Sequence, residues 1–586
     1  MQVYIKFLLI LSFALNLAFC DLSPQETSTT NRSLDIAYRA QRDVSRPIPI
    51  DQQSSPGFSL NSLFENKGYT MESVSNLTEL LQLGARTISI DLYWNEFTSI
   101  WQLCPAPFPK NMTYDMNNVM NLTWENKTYT CQVGLTTNNI MSSLYNFISS
   151  TNTKFDANFF HLILNLKSIH YEKSNRTMAL ENIYFPNSEI NLMGNSTLGD
   201  ILAPISSYIF TPEVLASYRE RKSAEVDNSE SQVFYAQSNF TMPSLNTVLF
   251  GEYKRLLVNV LSNELVDSRR VYKTNSQDEK TIFLKGTLPS TVFSSAEADA
   301  FCAKVLPDHN SRSVIPFNDT ISFYNNISLS THFRYVIDSD AKPFALEDLS
   351  RYVRCGLSPI LNAKSYHTTE ETLLDVEHVY RDFASYFFWS WKSGEPRISS
   401  ESTDLSRSSS DGSNVAYKCV VLNVEGWDVA DCYTEYQIAC QNQTGPNDWY
   451  IPPHNRKNYF EIDKDDCPPG YSLGVPRSSF EMAALYSAIL DHDATIPVWI
   501  DLNDITVSSC FVSGGPYAQC PYQRTVTTTK FARMIAPSSI VSLVILILIF
   551  LEKILRKNTL QTNRKKYWKK VIAEHYSKHE YEGVPS

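Results

Sequence analysis

Residues 84–94 read GARTISIDLYW, and residues 159–168 read FFHLILNLKS. The first run follows SNLTELLQLG at 75–84, whose pattern predicts a helix with Ser75 as N-cap and Gly84 at its C-terminal stop. Past Gly84, the residues Ile88, Ile90 and Leu92 fall on one face, which predicts a strand. The second run is nearly continuous in apolar residues and predicts another buried strand. Between them, TTNNIMSSLYNFISS at 136–150 predicts a helix. Further helices are predicted at 211–222, 244–262, 295–306 and 373–388, and further strands at TIFLKG (281–286) and FRYVID (333–338). Strand–helix alternation over roughly 350 residues predicts an α/β fold with parallel pairing.

Working outward, the ends of the chain carry targeting signals. MQVYIKFLLILSFALNLAFC at 1–20 has a basic residue, Lys6, then an apolar run and small residues at Ala18 and Cys20. It reads as a signal peptide cut before Asp21. The 17 residues Ile535 to Leu551 read as the core of a transmembrane helix at 535–552. Basic residues dominate after it, from Lys553 through Lys570, so the positive-inside rule places the tail 553–586 in the cytosol. The chain then reads as a single-pass type I membrane protein of the secretory pathway or cell surface. The tail holds nine basic and three acidic residues, a charge of +6; the whole chain carries −11, which leaves −17 for the rest. The basic flank suits anionic lipid head groups, with Trp568 at the interface. The acidic remainder excludes direct nucleic-acid binding.

Cysteine usage agrees with translocation. Eleven cysteines occur, and Cys20 leaves with the signal. The remaining ten, Cys104, Cys131, Cys302, Cys355, Cys419, Cys432, Cys440, Cys467, Cys510 and Cys520, all precede the apolar run. An even number on the translocated side predicts disulfides. No Cys-x-x-Cys pair is present to hold zinc. Proximity in sequence favours Cys104–Cys131 and Cys302–Cys355 and leaves the other pairings open. Glycosylation acceptors stand at Asn31, Asn76, Asn111, Asn121, Asn126, Asn175, Asn195, Asn239, Asn318, Asn326 and Asn442. The cluster Asn111, Asn121, Asn126 predicts an exposed, sugar-coated loop. About 500 lumenal residues exceed one hydrophobic core. The polar stretches at 21–36 and 398–414 read as a disordered linker and a long loop.

GARTISIDLYW is similar to the second strand of the phospholipase C-like phosphodiesterase barrels, and LILNLKS to the strand that follows. The resemblance implies a TIM-type barrel over 37–395, with Asp91 and the Asn165–Lys167 region near the mouth at the strand ends. That chemistry needs a histidine pair as base and acid. The segment 41–64, where the first would stand, has none, and no histidine precedes His161, which lies inside an apolar strand. Asp91 and His170 are the remaining catalytic candidates, and Asp91 with Asp43 or Asp51 the remaining cation set. No phosphate loop, nucleophile elbow or metalloprotease helix occurs. The expectation is a barrel without this chemistry, with no metal and no cofactor.

Residues 396–525 read as a cysteine-rich region. CVVLNVEGWDVADCYTEYQIACQ at 419–441 and VWIDLN at 498–503 resemble a C-type lectin-like domain. That resemblance implies a Cys419–Cys432 pair. Where the family's calcium site needs Glu-Pro-Asn and Trp-Asn-Asp, this chain has Glu395-Pro396-Arg397 and Trp427-Asp428-Val429. Oxygen ligands are then too few for calcium. In order along the chain stand the Arg39–Asp51 opening, GARTISIDLYWNEF…WQLCP, WSWKSGEP, GWDVADC…ACQ, CPPGYSLGVPRS…VWIDLN and the apolar run with its basic tail. The assembly resembles the fungal maintenance of telomere capping protein 6 family, which implies a part in telomere capping and supplies no catalytic residue. A translocated domain reaches telomeres only indirectly. The readings are therefore a non-enzymatic membrane glycoprotein with a lumenal protein or glycan partner, a lumenal phosphodiesterase or glycan-processing enzyme, and a calcium-independent glycan receptor.

Overall fold

The computed structural model describes residues 29–109, 115–170, 196–225, 234–236, 242–267, 270–307, 317–367, 373–397, 416–453, 455–522 and 528–578. Its centre is a set of eight parallel strands: the two-residue edge strand Ile209–Phe210, and β1 (Gly57–Ser59), β2 (Thr87–Asn95), β3 (Phe160–Ile169), β4 (Leu256–Glu264), β5 (Ser290–Phe293), β6 (Phe333–Ile337) and β7 (Ser358–Leu361). They follow one another in space as Ile209–Phe210, then β4-β3-β2-β1-β7-β6-β5. Helices lie between successive strands, among them Thr137–Ser150 between β2 and β3 and Leu346–Arg354 between β6 and β7. On the outer edge of β4 stand the strand Ile209–Phe210 and the isolated bridge Asn259–Phe283, and no described ladder closes onto β5, so the described ladders form a partial barrel.

Side-chain alternation splits each central strand between two cores. Ile88, Ile90 and Leu92 of β2 and Leu162, Leu164 and Leu166 of β3 enter the layer beneath the helices. Ile163, Leu257, Phe283, Phe333, Tyr335 and Ile360 fill the interior. Both faces are thus buried, and for this reason β2 and β3 read as near-continuous apolar runs. Gly57 sits where β1 and β2 approach too closely for a side chain, since a Cβ there would lie 1.8 Å from the Thr87 carbonyl oxygen.

A second sheet has the order Gly426–Asp431, Tyr417–Asn423, Val498–Asn503, Tyr436–Ile438, Arg456–Lys457. The helix Ser479–Asp491 is buried on nearly all sides and packs on the barrel helices. Its Phe480 ring lies against Gly356, which has φ +84° and ends the helix Leu346–Arg354. Residues 1–521 therefore form one compact unit. Disulfides join Cys104–Cys131, Cys302–Cys355, Cys419–Cys432, Cys440–Cys467 and Cys510–Cys520.

Several sequence expectations are corrected. Residues 244–262 are not one helix: a short π turn at Thr247–Gly251 leads into strand β4. A fully buried apolar run has no period that separates helix from strand. TIFLKG (281–286) contributes one bridge and no strand. The helix at 75–84 is shorter, Leu77–Gln82, and Ser75 lies before its N-cap, Asn76. The polar linker expected at 21–36 ends sooner, because the helix Thr29–Val44 buries Leu34, Ile36, Ala37 and Ala40. The signal peptide and the 398–414 loop lie outside the described residues.

The second unit, 522–586, holds one helix, Thr528–Lys578. Among the described residues no helix is long and apolar enough to cross a membrane. The spanning helix expected at 535–552 is therefore not met. Within that stretch, Ile540 to Leu551 is exposed throughout.

Candidate functional site

Parallel pairing in register sets Asp91 of β2 beside Asn165 of β3, and Tyr93 beside Lys167. All four stand toward the C-terminal ends of their strands, where barrel chemistry is built. Asn165 Nδ2 donates to Asp91 Oδ1 at 2.9 Å and to Ser89 Oγ at 3.1 Å. Lys167 Nζ donates to Asp91 Oδ2. The Asp91 side chain is 3% exposed and that of Lys167 31%. Both oxygens of the carboxylate are thus bonded, and its charge is met by a partly solvated ammonium.

A hairpin, Val119–Trp124 and Lys127–Gln132, overhangs this corner. Tyr69 N donates to Thr130 O at 2.7 Å and Gln132 N to Tyr69 O at 2.8 Å, while Cys131 ties the hairpin to Cys104. Its half-buried Tyr129 meets Tyr69 at 6.4 Å between ring centroids. Tyr69 neighbours Tyr93, whose ring lies 5.8 Å from Lys167 Nζ. Burial, and then the nearby Asp91, push the Tyr69 phenol far above its ordinary range. Burial does the same to Tyr93. These phenols stay protonated at any physiological pH and cannot serve as bases.

The other sequence candidates do not join this group. His170 follows β3, and no hydrogen bond links it to Asp91 among the described residues. His161 lies in the barrel interior, 1% exposed, with Nδ1 3.1 Å from the Tyr335 hydroxyl. Burial drives its pKa down to about 3. Asp43 is held by Arg42 at 2.9 Å and Arg46 at 3.3 Å. Asp51 precedes β1, at the opposite end of the barrel, and accepts from His332 N at 2.8 Å. Burial raises its pKa to about 6. Asp91 with Asp43 or Asp51 therefore makes no cation site. No cluster of three metal-binding side chains occurs among the described residues.

In the second sheet, the Trp427 ring meets Trp389 and Trp391 edge-on, each at 5.4 Å, and the Trp427 backbone N–H donates to Ser390 O at 2.7 Å. The carboxylates at the positions of the lectin-like family's calcium motif meet neighbouring cations. Glu395 Oε1 lies 2.7 Å from Arg397 Nε, and Asp428 Oδ2 lies 3.5 Å from Lys392 Nζ. A further concavity of about 270 Å³ lies among Tyr38, Arg39, Arg86 and Phe155. Arg86 there donates to Leu81 O at 2.9 Å and lies over the Tyr38 ring at 4.7 Å.

Sequence reasoning missed the tyrosine lid. Its signal was present, since VMNLTW and KTYTCQ alternate in polarity on either side of Glu125-Asn126, a hairpin pattern. Both turn residues have positive φ, 49° and 63°, as a tight two-residue hairpin turn requires.

The fold and site define a disulfide-bonded protein built on a partial TIM barrel. A family model described as the MTC6 partial TIM-barrel domain matches residues 28–378. The maintenance of telomere capping protein 6 of Lodderomyces elongisporus is 58% identical over 94% of this chain and 90% of its own length. That of Candida albicans strain WO-1 is 47% identical over 99% of each chain. The chain belongs to the fungal maintenance of telomere capping protein 6 family. Among solved structures, the phosphatidylinositol-specific phospholipase C of Listeria monocytogenes matches at 7% identity with a TM-score of 0.25, over 60% of this chain and 98% of its own.

Proposed function

We propose that this chain is a non-enzymatic glycoprotein of the secretory pathway, associated with a membrane, and that it bears on telomere capping indirectly. The observation that carries the reading is the state of Asp91. The best-placed carboxylate at the barrel mouth is bonded at both oxygens, neutralised by Lys167 and bordered by the buried Tyr69 and Tyr93. General acid–base catalysis needs a group free to exchange a proton near neutral pH. Five disulfides favour an oxidising compartment. The exposed apolar stretch Ile540–Leu551 favours contact with a bilayer, and its basic flank favours an anionic one. A charge of −17 before Lys553 disfavours any contact with nucleic acid.

The test is complementation of a yeast lacking the family member, scored by telomere capping. Asp91→Asn with Lys167→Met restores capping to the level of the unaltered chain. Loss of capping by this variant at normal folded abundance refutes the non-enzymatic reading. Cross-linking of the chain's large N-terminal region to telomeric chromatin in intact cells refutes the indirect role.

A further inference from the structure

We propose that three of the five acceptor asparagines whose side chains the structure describes, Asn121, Asn126 and Asn326, carry N-linked glycans, and that Asn76 and Asn442 do not. The inference rests on the secretory-pathway reading. The remaining six acceptors lie outside the residues whose side chains are described. In the transfer, a bond forms between Nδ2 and the first sugar carbon as that carbon's bond to a diphosphate leaving group breaks, and Nδ2 releases one proton. The glycan is bulky and must lie at the surface of the folded protein. An occupied acceptor therefore has to aim Nδ2 at solvent.

Three acceptors meet that condition. Asn121 is exposed on the outer face of the hairpin, and its Oδ1 accepts from Thr130 Oγ1 at 2.8 Å. That bond fixes the amide and turns Nδ2 away from Thr130. Asn126 is exposed at the hairpin tip with φ 63°. Asn326 is exposed on the helix Phe317–Leu329.

The other two aim Nδ2 inward. Asn76 Nδ2 donates to Glu377 Oε2 at 3.0 Å. That carboxylate is 9% exposed and is shared with Lys67, whose Nζ lies 2.9 Å from Oε1. Asn442 Nδ2 donates to Asp448 Oδ2 at 2.8 Å, and the same oxygen accepts from the Tyr471 hydroxyl at 2.7 Å. A sugar on either would have to displace a bonded carboxylate from a half-buried site. Local sequence does not distinguish the two groups, since every one is an Asn-x-Ser/Thr acceptor.

The placement has a consequence for the barrel mouth. The hairpin's inner residues, Leu122, Trp124 and Tyr129, pack toward the core, while Asn121 and Asn126 stand outside. The lid over Asp91 is then a two-glycan lid, whose outer face is closed to close-packed protein partners.

The test is site-by-site occupancy on the full chain made in a eukaryotic secretory host. Peptide N-glycosidase digestion in heavy-oxygen water marks each formerly glycosylated asparagine for mass spectrometry. Expected are marked residues at 121, 126 and 326, and unmarked asparagine at 76 and 442. In parallel, Thr123→Ala, Thr128→Ala and Asn326→Gln each remove one glycan's mobility shift, whereas Thr78→Ala and Thr444→Ala remove none. Marked asparagine at 76 or 442, or an unmarked 121, 126 or 326 in a chain glycosylated elsewhere, overturns the inference alone. A chain with no glycan at any acceptor overturns the secretory reading together with it.

Discussion

Replacing Lys167 by Met tests the Asp91 corner directly. The Asp91 carboxylate is 3% exposed, so in Lys167→Met it keeps only the Asn165 amide against a buried charge. Removing one partner of a buried ion pair costs about 3–5 kcal/mol. Lys167 is itself 31% exposed, so water meets part of the loss. A cost of about 2–3 kcal/mol is the discounted expectation. The reverse change, Asp91→Asn, frees an ammonium that already reaches solvent, and costs about 1 kcal/mol, one ordinary hydrogen bond. The double variant should sit near Asp91→Asn, with a coupling of about 2 kcal/mol. Denaturant midpoints of the four chains, followed by tryptophan fluorescence with disulfides intact, give the cycle. If Lys167→Met is as mild as Asp91→Asn, the carboxylate is not held by Lys167. The corner would then be open to water, and the case against catalysis there fails with it.

Gly57→Ala places a methyl 1.8 Å from the Thr87 carbonyl, so it should separate β1 from β2 at a cost of at least about 3 kcal/mol, visible as loss of folded protein on expression. Asp51, with its pKa raised to about 6, binds a proton more tightly folded than unfolded. Its contribution is therefore favourable at low pH and is lost as pH rises from the unfolded value toward 6. Asp51→Asn should flatten that fall by roughly 3 kcal/mol in stability-against-pH curves. His161 works in the opposite sense, because its pKa falls to about 3 and the unfolded chain takes up the proton first. Stability drops as pH falls below the unfolded histidine value, and His161→Leu should remove that acid-side loss. Cys104→Ala with Cys131→Ala opens a loop of 27 residues. It should cost about 3–4 kcal/mol and make the hairpin the earliest site of limited proteolysis.

Much of the barrel was legible because its central strands are buried on both faces. TISIDLYWN and FHLILNLKSI are long, apolar and bounded by clear helix signals. β1, β5 and β7 were not legible. They are three or four residues each, too short for a period, and they exist because longer neighbours supply their hydrogen bonds. β4 was read as helix for want of any polar alternation. The helix Thr29–Val44 was half hidden, since Thr29 to Ser33 are polar and only the packing of Leu34, Ile36 and Ala37 reveals its buried side. At the site, Asp91 and the Asn165–Lys167 region were named from the resemblance to the phospholipase C-like barrels, which places them at strand ends. Their mutual bonding was not, because it depends on the register of two strands separated by some 70 residues of chain, Asp91 opposite Asn165.

The sequence by itself determined the strand at GARTISIDLYW, the helix–strand rhythm around it, the family, and the even set of cysteines. These are properties of local pattern and composition. The tertiary structure alone decided the pairs Cys440–Cys467 and Cys510–Cys520, that no described ladder closes the barrel between the Ile209–Phe210 edge of β4 and β5, and that the helix Ser479–Asp491 welds the second sheet to the barrel. It also decided the state of Asp91. A carboxylate at a strand end reads the same in sequence whether it faces substrate, metal or a lysine. Only the packing around it, here Lys167, Asn165 and the tyrosine lid, fixes its charge partner and its access to water.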